Sequence, residues 1–314
     1  MIAERALTLV VAQIIDRLVG EPPSALHPVV WTGSLTTVLE RWAPICSRSA
    51  QLAYGAGLVV VVIALTSGAA ALADVMLRQL PWGLRIIVRA ALLKPAFAVR
   101  ELLAAAERVR TPLAADDLIA ARTPLAELVS RDPAPLDSGL VASAAIESLA
   151  ENANDSIVAP WLAFLVAGLP GAYAYRAANT LDAMIGYHGR YEYLGKPAAR
   201  CDDLLNIVPA RLTAALIAAV AIFHRGSQDA WSTALRDHTA TASPNAGWPM
   251  AAMAGALQVR LEKLDHYVLG GDHQPPCAAD VAAASRLVSQ LAGMLGCGLG
   301  LAGLTGALFT RRQD

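Results

Sequence analysis

Residues 49–73, SAQLAYGAGLVVVVIALTSGAAALA, decide the class of this chain. No charged side chain interrupts them between Arg48 and Asp74. The hydrocarbon core of a bilayer takes ~20 apolar helical residues to cross, and this window is long enough. A second window, residues 287–310 (LVSQLAGMLGCGLGLAGLTGALFT), is charge-free between Arg286 and Arg311. Composition agrees: 55% of residues are hydrophobic and 16% charged, where soluble domains carry about 25% charged. Mean hydropathy is +0.45. The alternative, two buried core helices of an Ala-rich soluble protein, is set aside in favour of an integral membrane protein. A net charge of −1 gives no case for nucleic acid, which needs a basic surface.

The N-terminus, MIAERALTLVVAQIIDRLVG, has a short apolar run, no basic n-region and no A-x-A site, so a retained helix is expected. Cys46, Cys201, Cys277 and Cys297 form no C-x-x-C pair and suggest neither zinc nor a disulfide framework. Beyond the first span, Arg78, Arg85, Arg89, Lys94, Arg100, Arg108 and Arg110 outnumber Asp74, Glu101 and Glu107, which marks the cytoplasmic side. Arg311 and Arg312 place the C-terminus on that same side. Residues 82–110 suit an amphipathic helix on the anionic inner leaflet, broken near Pro95, or equally a solvated connecting helix.

Three further stretches are apolar but interrupted. Residues 156–175 contain Pro160, Gly168, Pro170 and Gly171; residues 204–223 contain Pro209 and Arg211; residues 238–259 contain Pro244, Gly247 and Pro249. Broken helices survive at membrane depth where protein buries them or where they line a cavity. The final window carries Gly296, Gly300, Gly303 and Ala307, a small-residue stripe read as helix packing. The expected architecture is one all-α integral membrane domain over residues 1–314, a helical bundle of four to six spans with broken or re-entrant helices.

Charges at membrane depth cost ~2.5–3.5 kcal/mol each on insertion scales, so their clusters point to function. They concentrate in residues 16–33, 130–155, 175–212 and 237–257. The first segment supplies Asp16, Glu21 and His27 around a Gly-Glu-Pro-Pro turn. In the second, Glu147, Glu151 and Asp155 recur every four residues, which on an α-helix lines up three like charges that repel. Cations must come from elsewhere, and Mg²⁺ with distant arginines answers that need, since Mg²⁺ is held by one or two carboxylates plus substrate phosphates. Arg176, Asn179 and Asp182 share a helix side; Arg190, Arg200, Asp203 and Arg211 follow, with a structural ion-pair network as the alternative. His238, Ser243 and Asn245 lie on a turn that opens a helix, suited to a phosphate or to plain capping. No Walker A, G-x-G-x-x-G, G-x-S-x-G or H-E-x-x-H pattern is present.

Taken in order, DRLVGEPPSALHPVVWTG (16–33), SRD (130–132), ESLAENANDSIVAP, YRAANTLDAMIGY, ARCDDLLNIVPARLTA and SPNAGWPMAAMAGAL resemble the adenosylcobinamide-phosphate synthase family of cobalamin biosynthesis, the CobD/CbiB family. The resemblance departs at Ser156, where that family usually has glycine. It implies a multi-pass enzyme of the cell (inner) membrane with its active site facing the cytoplasm. The implied reaction joins adenosylcobyric acid, a corrinoid, to (R)-1-aminopropan-2-yl phosphate or a close amino-alcohol analogue, driven by ATP and Mg²⁺. Contact with other corrin-pathway enzymes is a further expectation. On this reading Glu147, Glu151 and Asp155 hold Mg²⁺, and Arg131, Arg176, Asn179, Arg190, Arg200, Arg211, Ser243 and Asn245 bind substrate or phosphate. Asp182, Asp203 or His27 takes a proton from the attacking amine. Since the acids before Ser156 and the arginines after Tyr175 should face one side, residues 156–175 are expected to be kinked or re-entrant. A Mg²⁺-diphosphate prenyltransferase, which E-x-x-x-E-x-x-x-D imitates, and a substrate transporter are the alternatives.

Overall fold

The computed structural model describes residues 2–310 except Cys46, Ser130, His188, Arg225, Gly226 and Asp272, and omits the side chains of 224, 227, 228, 302 and 304–310. Ser130, Arg311 and Arg312 therefore lie outside the described residues, as do the side chains of 302 and 304–310 in the 287–310 window. The chain is 77% helical, an all-α membrane protein as expected. Its helices in order are α1 (Ile2–Leu18), α2 (Pro28–Glu40), α3 (Arg48–Leu77), α4 (Trp82–Leu93), α5 (Arg100–Ala114), α6 (Leu118–Leu125), α7 (Ser138–Ala153), α8 (Ala159–Ile185), α9 (Lys196–Ala221), α10 (Ser227–Asp237), α11 (Gly247–Leu257) and α12 (Ala278–Thr310). A short antiparallel hairpin, β1 (Leu261–Lys263) with β2 (Tyr267–Leu269), precedes α12. Among the described residues three helical stretches are long and apolar enough to cross a membrane: Arg48–Leu77, Ser138–Ile185 and Lys196–Ala221.

The chain divides into two compact units, one of residues 1–98, 159–205 and 296–314, the other of 99–158 and 206–295. In the first unit Leu58, Val59 and Val62 of α3 pack with Ala177, Leu181 and Ile185 of α8. Phe97 meets Trp161 edge to face at 5.4 Å, the arrangement aromatic quadrupoles favour. The glycine stripe of α12 lies on α1: a methyl at Gly296 would strike Gln13, and one at Gly303 would press on Ala3 and Ala6. In the second unit α7 is the buried centre, packed by α5, α6, α11 and β1, and nearly every side chain from Val141 to Ala150 is buried.

Local signals set the ends. Asp137 caps α7 by accepting from the Leu140 N–H at 2.8 Å, and Ser47 caps α3 from Ala50 at 3.3 Å. The break near Pro95 is present: a 3₁₀ turn, Lys94–Ala96, separates α4 from α5. The expected kink in 156–175 is present in two forms. A π-turn spans Asn154–Val158, and Gly168 adopts φ 72°, ψ −157°, a conformation only glycine tolerates. Arg5 closes the gap that Gly168 opens, donating from Nη1 to the carbonyls of Leu165 (2.9 Å) and Val166 (2.6 Å). Of the basic residues in 82–110, Arg85 and Arg89 pair with Glu4 at 2.8 and 2.9 Å, and Arg89 also with Asp74 at 2.7 Å.

Candidate functional site

The second unit builds its polar centre on Glu147. Only 6% exposed, this carboxylate accepts from Ser143 Oγ at 2.8 Å and from the Tyr267 hydroxyl at 3.1 Å, and pairs with Arg131 at 3.5 Å. A buried anion needs such partners, because leaving water costs several kcal/mol for each ion. Ser143 Oγ also accepts from the Glu262 N–H at 2.7 Å, which stitches the hairpin to α7. Burial and the charges of Glu147 and Glu151 push the Tyr267 hydroxyl well above the usual phenol range, against the pull of Arg131. It therefore stays protonated and donates.

Glu151, one turn on, is exposed, while Asp155 sits in the π-turn and accepts from Asn154 Nδ2 at 2.7 Å. The three acids do not form a metal cage: among the described residues no group of three His, Cys, Asp or Glu side chains is placed to hold an ion. The physical reason is twofold. Glu147 is already engaged by Ser143, Tyr267 and Arg131, and the π-turn breaks the α-helical phase that would stack Asp155 over Glu151. That turn is pinned from within, since Asn154 Nδ2 also donates to Asn206 (2.8 Å) and Asn154 Oδ1 accepts from Thr213 (3.2 Å).

Arg211, Ser243 and Asn245 are brought together in the same unit. Arg211 Nη1 donates to Asn245 Oδ1 at 3.2 Å, and its guanidinium lies 5.0 Å over the Trp248 ring. His238 stacks on the same ring at 4.0 Å. Ser243 Oγ accepts from the N–H groups of Asn245 and Ala246 at 3.2 and 3.3 Å, so the turn into α11 is capped by serine.

The first unit holds the remaining candidates. Arg176 Nη1 donates to Asn179 Oδ1 at 3.3 Å, and Asn179 Nδ2 to Asp202 Oδ1 at 3.4 Å. Asp182 lies under Gly186, where a methyl would come within 2.0 Å of its Oδ1, so glycine at that position makes room for the carboxylate. Arg200 pairs with Asp203 at 3.5 Å, the i, i+3 partner foreseen from spacing. Arg190 is 79% exposed and pairs with Glu40 at 3.1 Å, which also accepts from Tyr191. His27 caps α2: its Nδ1 accepts from the Val29 N–H at 3.2 Å, so Nε2 carries the proton and donates to Glu21 at 3.1 Å. The ring nitrogen a general base would use is thus occupied, and His27 serves as a cap.

The partners of two residues escaped the sequence reading. Lys94, 2% exposed, reaches Asp16 at 3.0 Å and Glu21, completing the cluster of residues 16–33 instead of facing a leaflet. Tyr267 comes from a hairpin between apolar segments, where no spacing announces a partner 120 residues away.

The family model described as CobD/Cbib protein matches residues 9–294. A cobalamin biosynthesis protein CobD from Dehalococcoides mccartyi is 44% identical over 87% of this chain and 89% of its own length. The CobD of Rhodobacter capsulatus is 40% identical over 92% of this chain and 95% of its own, and a probable CobD from Methanothermobacter thermautotrophicus is 40% identical over 83% and 86%. No solved structure matches. The buried carboxylate, the π-turn network and the capped turn all fall inside the matched span, and the chain belongs to the CobD/CbiB family.

Proposed function

We propose that this protein acts in cobalamin biosynthesis as an amide ligase. It joins adenosylcobyric acid to (R)-1-aminopropan-2-yl phosphate, or a close analogue, with ATP, giving adenosylcobinamide phosphate. One observation carries the reading: every polar segment that the sequence singles out lies within a family match covering residues 9–294. A prenyltransferase does not account for the SPNAGWP and DDLLN segments, and a transporter should show two related halves, which the sequence does not display. The basic excess after α3 supports an active site on the cytoplasmic side of the cell (inner) membrane.

A carboxylate does not condense with an amine unaided. The corrinoid carboxylate oxygen attacks the γ-phosphorus of ATP, ADP leaves, and an acyl phosphate results. The amine nitrogen then attacks the acyl carbon, phosphate departs, and the ammonium proton passes to a base. Arg211, beside Asn245 at the start of α11, offers positive charge to phosphate in the second unit; Arg176 and Arg200 do so in the first. Asp182 or Asp203 is the proton acceptor. Glu147, already answered by Arg131, Ser143 and Tyr267, holds those groups in position. Magnesium arriving with ATP needs only one or two protein carboxylates, and the exposed Glu151, with Asp155, suits that demand where a three-acid cage does not. Bound there, the ion would neutralise phosphate charge.

The test uses purified protein in detergent with adenosylcobyric acid, aminopropanol phosphate and ATP-Mg²⁺, followed for amide product and ADP. Stoichiometric ADP and amide are expected. Absence of both from folded protein rejects the reaction, and full activity in Glu151→Gln and Asp155→Asn rejects the acidic assignment.

A further inference from the structure

In the first unit a cavity of about 300 Å³ lies against α3, one of the helices long and apolar enough to cross a membrane. Its α3 wall is Ala69, Ala70 and Ala73, whose small side chains leave a trough. Trp31 and Leu35 of α2 form the facing wall, and Leu169 of α8 adds to it. Three hydroxyls reach the lining, and each has spent its proton on a backbone carbonyl. Thr32 donates to Pro28 at 3.0 Å, Thr66 to Val62 at 2.8 Å, and Tyr173 to Leu92 at 2.7 Å. Trp31 likewise gives its indole N–H to Ala25 at 2.9 Å. Among the described residues no charged side chain lines the space.

Such an open, apolar lining offers water almost no hydrogen-bond partner, and unfilled it forfeits dispersion contacts on its walls. The occupant must be hydrocarbon. What supplies it follows from continuity with the outer surface of α3. Val60, Val61, Leu72, Val75 and Met76 make that surface apolar and exposed, as a lipid-facing helix requires. Leu65, 56% exposed, belongs both to that surface and to the cavity, and Trp31 is exposed across from it. We propose that this cavity is a lipid site that takes an acyl chain of the surrounding bilayer, entering between Leu65 and Trp31. The hydroxyls on the walls select a chain and not a head group, which stays outside.

The experiment places the full-length protein in phosphatidylcholine vesicles containing a fraction of the same lipid with a diazirine near the end of one chain. On illumination the diazirine loses N₂ and the carbene inserts into a neighbouring C–H bond, and the adducts are mapped by peptide mass spectrometry. Adducts are expected on the inward residues Ala70 and Leu35 as well as on the outward Val60 and Leu72. Adducts confined to Val60 and Leu72 overturn the proposal. So does a cross-link between the introduced thiols of two copies of a Leu35→Cys variant under a short bis-maleimide, located by peptide mass spectrometry, which would make the occupant a neighbouring protein. Ala70→Leu, which fills the trough, should lower Leu35 labelling several-fold relative to Val60; unchanged labelling in the folded variant also overturns it. Should that variant fail to fold, the wild-type map alone decides.

Discussion

Tyr267→Phe removes the phenolic donor from Glu147 while keeping the ring. A hydrogen bond to a charged group contributes ~1.5–3 kcal/mol net. Charge-assisted O–H···O⁻ bonds usually measure about 2.5–2.7 Å. At 3.1 Å the Tyr267–Glu147 bond belongs at the weak end, so the single variant should lose about 1.5 kcal/mol. In a Glu147→Gln background the acceptor is neutral, and the same change should cost only ~0.5 kcal/mol. The coupling between the two positions is therefore about 1 kcal/mol, roughly a fivefold difference in the folding equilibrium. Denaturant unfolding of the four proteins in dodecyl maltoside at neutral pH, followed by tryptophan fluorescence, measures it. The tyrosine pKa is raised on folding, so its contribution is complete below the unfolded value of about 10 and is lost only as pH climbs through the higher folded one. A coupling within ~0.3 kcal/mol of zero would mean that the hydroxyl does not serve the buried carboxylate, and the account of the polar centre would fail.

Gly168→Ala forces a side chain into a backbone region reserved for glycine, at a cost of ~1–3 kcal/mol, which should appear as a lower melting temperature in detergent. Lys94→Met leaves Asp16 and Glu21 without their shared cation; a loss of ~3–5 kcal/mol is expected, largely recovered by adding Asp16→Asn and Glu21→Gln. Near-wild-type stability of the single variant, in the same melting assay, would deny the burial. The Asp237 carboxyl is partly buried, which raises its pKa, yet bonds from Arg236 and the Gly270 N–H outweigh that and hold it below the usual carboxylate value. Its stabilisation is thus present above the unfolded pKa of about 3.9 and fades as pH falls through the lower folded one. The stability gap between wild type and Asp237→Asn should accordingly be constant near neutrality and close in acid, as melting curves across that range would register.

Much of the architecture was legible in local pattern. The uninterrupted run at 49–73 foretold α3, Pro95 foretold the break before α5, and the Gly168 to Gly171 segment foretold the kink in α8. Each rests on a property of one short segment: its hydropathy, a missing N–H, or a glycine-only dihedral. The Arg200–Asp203 pair was legible for the same reason, being three residues apart on one helix. Spacing misled at Asp155, because an i, i+4 argument assumes α-helical phase throughout and the chain turns π at Asn154–Val158.

The amino-acid order by itself determined a membrane-crossing helical chain, where its helices bend, and which segments carry charge. Only the tertiary structure decided which charges meet. Lys94 finds Glu21 across 73 residues, and Tyr267 finds Glu147 across 120. Such partners are chosen by how helices and a hairpin pack at a distance in the chain. A buried charge must have a counterpart, but its own neighbourhood in the sequence does not say where that counterpart comes from.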